Sequence, residues 1–363
     1  MKNYRIVVEP PKKGVLLLED EVPSFDSNEV LIQTIYTGIC GTDEEIISGL
    51  YGEVPSGKKY LTLGHETIGR VVGVGKEVRD FKEGDLVVPM VRRSCDNCKY
   101  CLEDKSDMCY TGNYFERGIK GLNGFMTNYF VESERYLIKV PENLKDLGVL
   151  LEPLSIGEKA IKQFFALREG FGLCNDKINA LVEGSGPIGL LTSFILRSYN
   201  IETHTFDRRS ENTLKPEILR NIGAHHINIR DKPIGELVKE DYKFDLIIEA
   251  TGNSSLTFES LDCLGIDGVF VMTGLPCSNG IYNLNLDKLM KNMVLNNQTL
   301  IGIVNSNLSH FKTALSDLQM FNSVFTNDIN RVITKVVDLS NYKEAFKERD
   351  SDKEIKTVIR FGD

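Results

Sequence analysis

The chain has 363 residues, 41% of them hydrophobic and 26% charged, with 43 basic against 52 acidic side chains and a net charge of −9. That length predicts two domains in an ordinary soluble chain, and no apolar run approaches the ~20 residues that a bilayer span needs. Basic residues cluster only in the pairs Arg92–Arg93 and Arg208–Arg209, which argues against a nucleic-acid partner.

The opening stretch MKNYRIVVEPPKKG lacks the apolar core and small-residue cleavage site of a secretory signal, so a cytoplasmic protein with no membrane partner is expected. The first 150 residues are rich in short β-branched runs bounded by turn residues: YRIVV, EVLIQTIYTGIC, TIGRVVGVG and DLVVPMV. They predict a partly open, barrel-like β domain. VLLEPLSIGEKAIKQFFAL has apolar residues at helical spacing and ends that texture. Strands and helices then alternate: INALVEG, PIGLLTSFILRSY, ETHTFD, TLKPEILRNIG, FDLIIEAT and GVFVMTG. Such alternation predicts βαβ units on a parallel sheet, and so an α/β chain. From about Asn305 a long amphipathic stretch, SHFKTALSDLQMF, leads to the apolar run IKTVIRF, which could return to the first domain. The expected divisions are 1–154, 155–304 and 305–363.

Gly184-Ser185-Gly186-Pro187-Ile188-Gly189 follows an apolar strand and opens an apolar helix. That is the context a G-x-G-x-x-G dinucleotide turn requires: one glycine for the turn, one for approach of the pyrophosphate, one for helix–strand packing. Asp207 follows at the end of the next strand, where a carboxylate accepts from the ribose 2′-hydroxyl of NAD. Arg208 and Arg209 come at once, and arginine there suits the 2′-phosphate of NADP. The two signals conflict unless the aspartate turns away or the arginines neutralise it. NADP is expected, with NAD also used; a solvated arginine turn is the plainer alternative.

Four of the eight cysteines, Cys95, Cys98, Cys101 and Cys109, fall within fifteen residues, CDNCKYCLEDKSDMC. Four thiolates close a tetrahedral zinc site and leave no position for substrate, which predicts a structural zinc; an iron–sulfur cluster is the weaker reading. Cys174, Cys263 and Cys277 are isolated. Cys40 in GICGTDEEI, His65 and Glu66 in LGHETIG, and Glu152 in LLEPLS are dispersed. Singly they read as a small core thiol, a satisfied buried histidine and acids needing partners. Together a Cys, a His and a carboxylate can hold zinc with one position open, the catalytic arrangement.

These motifs and their order resemble the zinc-dependent medium-chain dehydrogenases over nearly the whole chain. VPMVRRSCDNC, TGNYFERGIKGLNGFM and NNQTLIGIVNSNLSHF are most similar to the archaeal glucose (aldose) 1-dehydrogenases. The resemblance implies a chaperonin-10-like β-barrel catalytic domain completed by the C-terminal segment, a Rossmann domain between those parts, and an active site in the cleft between domains. It implies two zinc ions per subunit, a small-molecule sugar substrate oxidised at C1, and a homotetramer or homodimer. The catalytic zinc would fall to Cys40, His65 and Glu66, with Glu152 reaching metal or substrate and Thr42 bonding the reacting hydroxyl. Glu116 and Asn305 would contact the sugar. Thr273, Gly274, Ile303, Val304 and Asn305 would join the glycine turn around the cofactor. Val91 and Leu295 stand where an asparagine and a histidine can touch the sugar, which leaves glucose, galactose and pentoses open. The alternatives are a zinc-dependent alcohol, polyol or threonine-type dehydrogenase, a zinc-free quinone reductase of the same fold, and a non-enzymatic zinc-ribbon dinucleotide sensor.

Overall fold

Strand Glu29–Gly38 alternates half-buried and buried side chains over its first six residues, the period of a sheet with one face on a core. In the computed structural model, which describes residues 2–173, 177–276 and 280–362, this strand is the axis of a seven-stranded sheet. It pairs antiparallel with Glu66–Val74, with Tyr129–Ser133 and with Lys356–Arg360. Glu66–Val74 continues the sheet to Leu86–Pro89 and Leu137–Val140, and Lys356–Arg360 continues it, in parallel, to Ile333–Asp338. Two three-stranded sheets complete this unit: Leu16–Glu21, Lys2–Val8 and Leu61–Thr62; and Arg92–Arg93, Phe115–Arg117 and Gly121–Leu122. Its apolar interior gathers Ile6, Val8, Ile39, Ile46, Leu61 and Leu63, with Val30, Ile32, Val71, Val87 and Phe125 in a second group.

The chain divides into two compact units, Met1–Ser155 with Asn305–Asp363, and Ile156–Val304; the division falls inside helix Leu151–Gly170. The second unit is built on a six-stranded parallel sheet. In spatial order its strands are His225–Asn228, Glu202–Asp207, Asn179–Glu183, Phe244–Glu249, Leu264–Met272 and Thr299–Gly302. Numbered along the chain this is 3-2-1-4-5-6, and the order reverses between Asn179–Glu183 and Phe244–Glu249, the switch point where open α/β sheets bind ligands. Leu181, Phe206, Phe244, Ile247 and Phe270 form its core together with Cys263, which is a core thiol. Cys174 and Cys277 lie outside the described residues.

The pattern reading leaves out the two edge strands, His225–Asn228 and Thr299–Gly302. Neither has a fully buried residue, so neither needs an apolar run. It also leaves out helix Leu286–Leu295, which buries none of its side chains. Among the described residues no helix is long and apolar enough to cross a membrane.

Candidate functional site

Cys40 lies just past strand Glu29–Gly38 and is the N-cap of helix Gly41–Ile47. Asp43, at the third helical position, turns its buried carboxylate back on the chain. Oδ2 accepts from the Cys40 N–H at 2.9 Å and Oδ1 from the Gly64 N–H at 3.2 Å. One carboxylate thus joins the turn that carries Cys40 to the turn that carries His65. Glu66 then opens the central strand Glu66–Val74. The result is that single donor atoms of Cys40, His65 and Glu66 lie within 4.8 Å of one another, with the His and Glu buried.

A sulfur, an imidazole nitrogen and a carboxylate oxygen at that spacing fit zinc with three protein ligands and an open position. His65 Nδ1 is buried without a hydrogen bond, 3.7 Å from Asp43 Oδ1, so the ring has an oriented carboxylate behind it, as metal-bound histidines commonly do. Burial opposes charge on His65, but the Asp43 carboxylate, a hydrogen bond with Cys40 and the negative charge around it hold its pKa well above the ordinary 6.5.

Glu66 is ion-paired with Lys356, and both side chains are almost wholly buried. The ammonium also donates to the Ile39 carbonyl at 3.0 Å. Gly38 makes room for this pair: a Cβ there would strike the Glu66 carboxylate and lie 2.7 Å from Lys356 Cε. Glu152, in the first turn of helix Leu151–Gly170, is 8% exposed. Burial pushes its carboxyl up to about 7; Glu66 adds to the rise while His65 and Lys356 oppose it. It therefore shares the electrostatic neighbourhood of the three donors without belonging to their cluster. Thr42 is half-buried in the first turn of helix Gly41–Ile47.

Cys95, Cys98, Cys101 and Cys109 converge likewise, their sulfurs all within 4.8 Å of one another. Cys98 caps the short helix Lys99–Leu102, and its sulfur accepts from the Cys101 N–H at 3.5 Å. Hydrogen bonds from Thr111 and the Asn97 N–H draw the Cys95 thiol down to about 6, while burial pushes Cys101 up to about 12. Four sulfurs so placed fit a closed tetrahedral metal site.

A third cluster contains Glu116 and Asn305. Glu116 Oε1 accepts from Arg92 Nε at 3.0 Å, from Arg92 Nη2 at 2.8 Å and from Asn305 Nδ2 at 2.8 Å. Arg92 lies over the Tyr114 ring and also donates to the Asp107 carbonyl. Asn305 adopts φ +58°, a left-handed conformation that asparagine tolerates better than most residues. Val91 is buried in the apolar group around Ile6, and Leu295, in the other unit, is 69% exposed.

In the second unit, Gly184, Ser185 and Gly186 follow strand Asn179–Glu183, and Gly186 caps helix Pro187–Ser198. The three glycines differ as the motif demands. Gly184 has φ +98°, a Cβ at Gly189 would collide with the Gly184 carbonyl, and a Cβ at Gly186 would meet nothing within 4 Å. The open side at Gly186, above a helix N-terminus that includes Ile188, fits a pyrophosphate. Asp207 ends the neighbouring strand and is hydrogen-bonded by Ser185 Oγ. Arg208 is exposed and Arg209 half-buried. Thr273 Oγ1 donates to the Glu249 carbonyl, the Gly274 N–H donates to Glu249 Oε2, and the Ile303 N–H donates to the Met272 carbonyl. Ile303 is buried and Val304 is exposed.

Comparison with known proteins follows these lines. Residues 145–361 match the family model for the glucose dehydrogenase C-terminus, and residues 26–142 that for the alcohol dehydrogenase GroES-like domain. The chain belongs to the zinc-type medium-chain dehydrogenases. Its fold is accordingly a GroES-like domain with a Rossmann-type parallel sheet. It is 38% identical to the glucose 1-dehydrogenase of Methanocella arvoryzae over 358 residues, 98% of each chain. Glucose 1-dehydrogenase 2 of Vulcanisaeta moutnovskia is 40% identical over 360 residues, 99% of each. The crystal structure of Haloferax mediterranei glucose dehydrogenase in complex with NADP, Zn and gluconolactone superposes with a TM-score of 0.89, at 33% identity and 99% coverage of both chains.

For this medium-chain dehydrogenase, sequence reading passes over residues that hold the donors rather than supply them. Asp43 is visible as an acid three residues after an N-cap, the spacing of a capping box. Lys356 is a lone cation inside the apolar run IKTVIRF. Arg92 lies in one of the two arginine pairs, with nothing local to tie it to Glu116.

Proposed function

We propose that this enzyme oxidises an aldose, D-glucose foremost, at C1 to the aldonolactone, with hydride passing to NADP and NAD also accepted. On this reading the first unit is catalytic, residues 305–363 return to it, and Ile156–Val304 binds the nucleotide. Cys40, His65 and Glu66 would hold a catalytic zinc, and the four-cysteine lobe a structural one. Zinc at the first position supplies Lewis acidity, which lowers the pKa of a substrate hydroxyl. The chain's own residues do the rest. Thr42 accepts the proton of the reacting hydroxyl at Oγ1 and passes it toward solvent. Glu152, poised near neutrality, takes a sugar hydroxyl or reaches the metal. The turn Gly184–Gly189 orients the nucleotide, with Thr273, Gly274 and Ile303–Asn305 beside the nicotinamide. Alignment of this kind supplies much of the rate by prior ordering of the reactants.

The observation that carries a sugar, as against a simple alcohol, is Glu116. Among the described residues its side-chain hydrogen bonds all fall on Oε1, and Oε2 is left to accept from hydroxyls that a simple alcohol lacks. Full-length similarity to glucose 1-dehydrogenases supports the same substrate. Val91 and Leu295 offer no hydrogen bond, so galactose and pentoses belong in the test. Exposed Leu286, Met290 and Val294 form an apolar stripe at i, i+4 and i+8 on one helix, which supports a homodimer or homotetramer, checked by light scattering.

The deciding experiment is a substrate panel of aldoses, polyols, simple alcohols and threonine with NADP and NAD, before and after chelation. Aldose oxidation that a chelator abolishes and zinc restores is the expected result. Turnover of threonine or polyols alone would move the enzyme to that branch, and full activity after chelation would remove zinc from the mechanism.

A further inference from the structure

The ribose end of the dinucleotide turn carries a charge arrangement that the glycine fingerprint does not require. Asp207 Oδ2 accepts from Ser185 Oγ, and Oδ1 accepts from the Arg209 N–H at 2.7 Å. The same Oδ1 faces His226 Nε2 at 2.8 Å. His226 stands on the edge strand His225–Asn228 with its side chain 1% exposed, and its other nitrogen, Nδ1, faces Glu211 Oε1 at 2.7 Å.

Two carboxylates at hydrogen-bond distance need two N–H donors, and a neutral imidazole has only one. The ring is therefore held as an imidazolium. Burial opposes that charge, while hydrogen bonds with Asp207 and Glu211 outweigh it and raise the pKa above the ordinary 6.5. The groups around the ring are Asp207 from strand Glu202–Asp207, Glu211 from the loop that follows, and Arg220 of helix Leu214–Asn221, which pairs with Glu211 Oε2 at 2.7 Å. Asp207 is held well on the ionised side by His226, Ser185 and the Arg209 N–H, against its burial.

A carboxylate in this state has both oxygens committed to the protein and its charge compensated. It is a poor acceptor for a ribose 2′-hydroxyl, and it no longer repels an anion beside Arg208 and Arg209. We propose that His226 is a specificity-determining positioning residue for the nucleotide: clamped as a cation between Asp207 and Glu211, it neutralises the carboxylate that would select a 2′-hydroxyl and opens the site to a 2′-phosphate. The inference rests on reading Gly184–Gly189 as a dinucleotide turn. It settles the conflict between the aspartate and the arginine pair in favour of the phosphate, and it makes the preference depend on one buried proton.

The test is calorimetric binding of 5′-AMP and of adenosine 2′,5′-bisphosphate to the full-length zinc-loaded enzyme between pH 7.5 and 9.5. A phosphomonoester with a second pKa of about 6 stays dianionic over that range. The wild type is expected to favour the bisphosphate, and His226→Gln to reduce that ratio about tenfold, a difference that a single lost charge can supply at this range. The ratio is expected to fall with rising pH in the wild type and to stay flat in His226→Gln. Should His226→Gln fail to fold, Glu211→Gln decides, because its side chain is half-exposed and the substitution removes one of the two carboxylate charges that hold the ring protonated. It is expected to shift the fall in preference to lower pH. An unchanged bisphosphate-to-AMP ratio in the folded variants, or equal loss of both nucleotides, overturns the inference alone. Failure of both nucleotides to bind the wild type overturns the dinucleotide reading and the inference with it.

Discussion

The cysteine lobe and the Cys40–His65–Glu66 cluster differ first in how much of the chain each needs. The lobe draws its four sulfurs from fifteen consecutive residues and orients them with bonds made inside that loop, such as Cys101 N–H to Cys98 Sγ and Cys95 N–H to Cys101 Sγ. The other cluster takes donors from two turns, locks those turns together with Asp43, and balances Glu66 with a lysine from the C-terminal strand. A closed site can be made locally because its ligands satisfy one another around the ion. A site that keeps a position open leaves charge and lone pairs unspent, and these must be steadied by partners far away in sequence.

Substitutions can break that contrast. The largest effect is expected from Cys40→Ser: about a thousandfold loss of kcat, with a melting temperature close to wild type, read from steady-state kinetics and calorimetry. Cys98→Ser should do the reverse. One zinc per chain is lost by atomic absorption, and stability falls by about 3 kcal/mol, roughly 5 °C in melting temperature, while the folded fraction keeps its kcat. A stable but inactive Cys98→Ser would mean that the roles are exchanged.

The third cluster sharpens the comparison, since it holds a carboxylate ready without a metal. Arg92→Met leaves Glu116 without its cation, and kcat/KM for glucose is expected to fall about 10- to 100-fold, mainly through KM, with partial recovery in Arg92→Lys. Unchanged kinetics would detach Glu116 from the substrate.

The smallest effect calibrates burial alone. Glu183, at the end of the first strand of the parallel sheet, is fully buried, and burial pushes its carboxyl up to about 8, with Ser260 opposing and Glu249 adding. Its folded pKa lies above the unfolded value, so the unfolded chain releases its proton first and stability falls as pH rises from about 4.5 to 8. Glu183→Gln should therefore be more stable than wild type by about 2 kcal/mol at pH 6, the gain growing toward pH 8 and vanishing toward pH 4.5, in denaturant titrations. A gain independent of pH would show that packing, not the proton, is responsible.

Much of this was legible in the residues themselves. β-branched runs mark the strands of the first unit, and the strand–glycine turn–helix run marks the nucleotide fold, because each is a local pattern with a local cause. Cys40, His65 and Glu66 are weak signals singly and suggestive together, and it is the resemblance of their motifs to a known family that groups them at one metal. Asp43, Lys356, Arg92 and His226 could not be assigned their tasks. Their meaning lies in contacts across 19 to 317 residues of chain, which no window of sequence contains. The edge strands escaped for another reason: half-covered strands need no apolar alternation.

The bond from Lys356 Nζ to the Ile39 carbonyl, beside the ion pair with Glu66, also has a consequence in time. Ribosomes make Glu66 and its strand long before strand Lys356–Arg360 emerges. Until then the growing chain must keep that carboxylate hydrated or protonated, and the central sheet lacks the strand that brings its counter-ion. The Glu66–Lys356 pair can therefore form only in a chain that already carries residues 156–304.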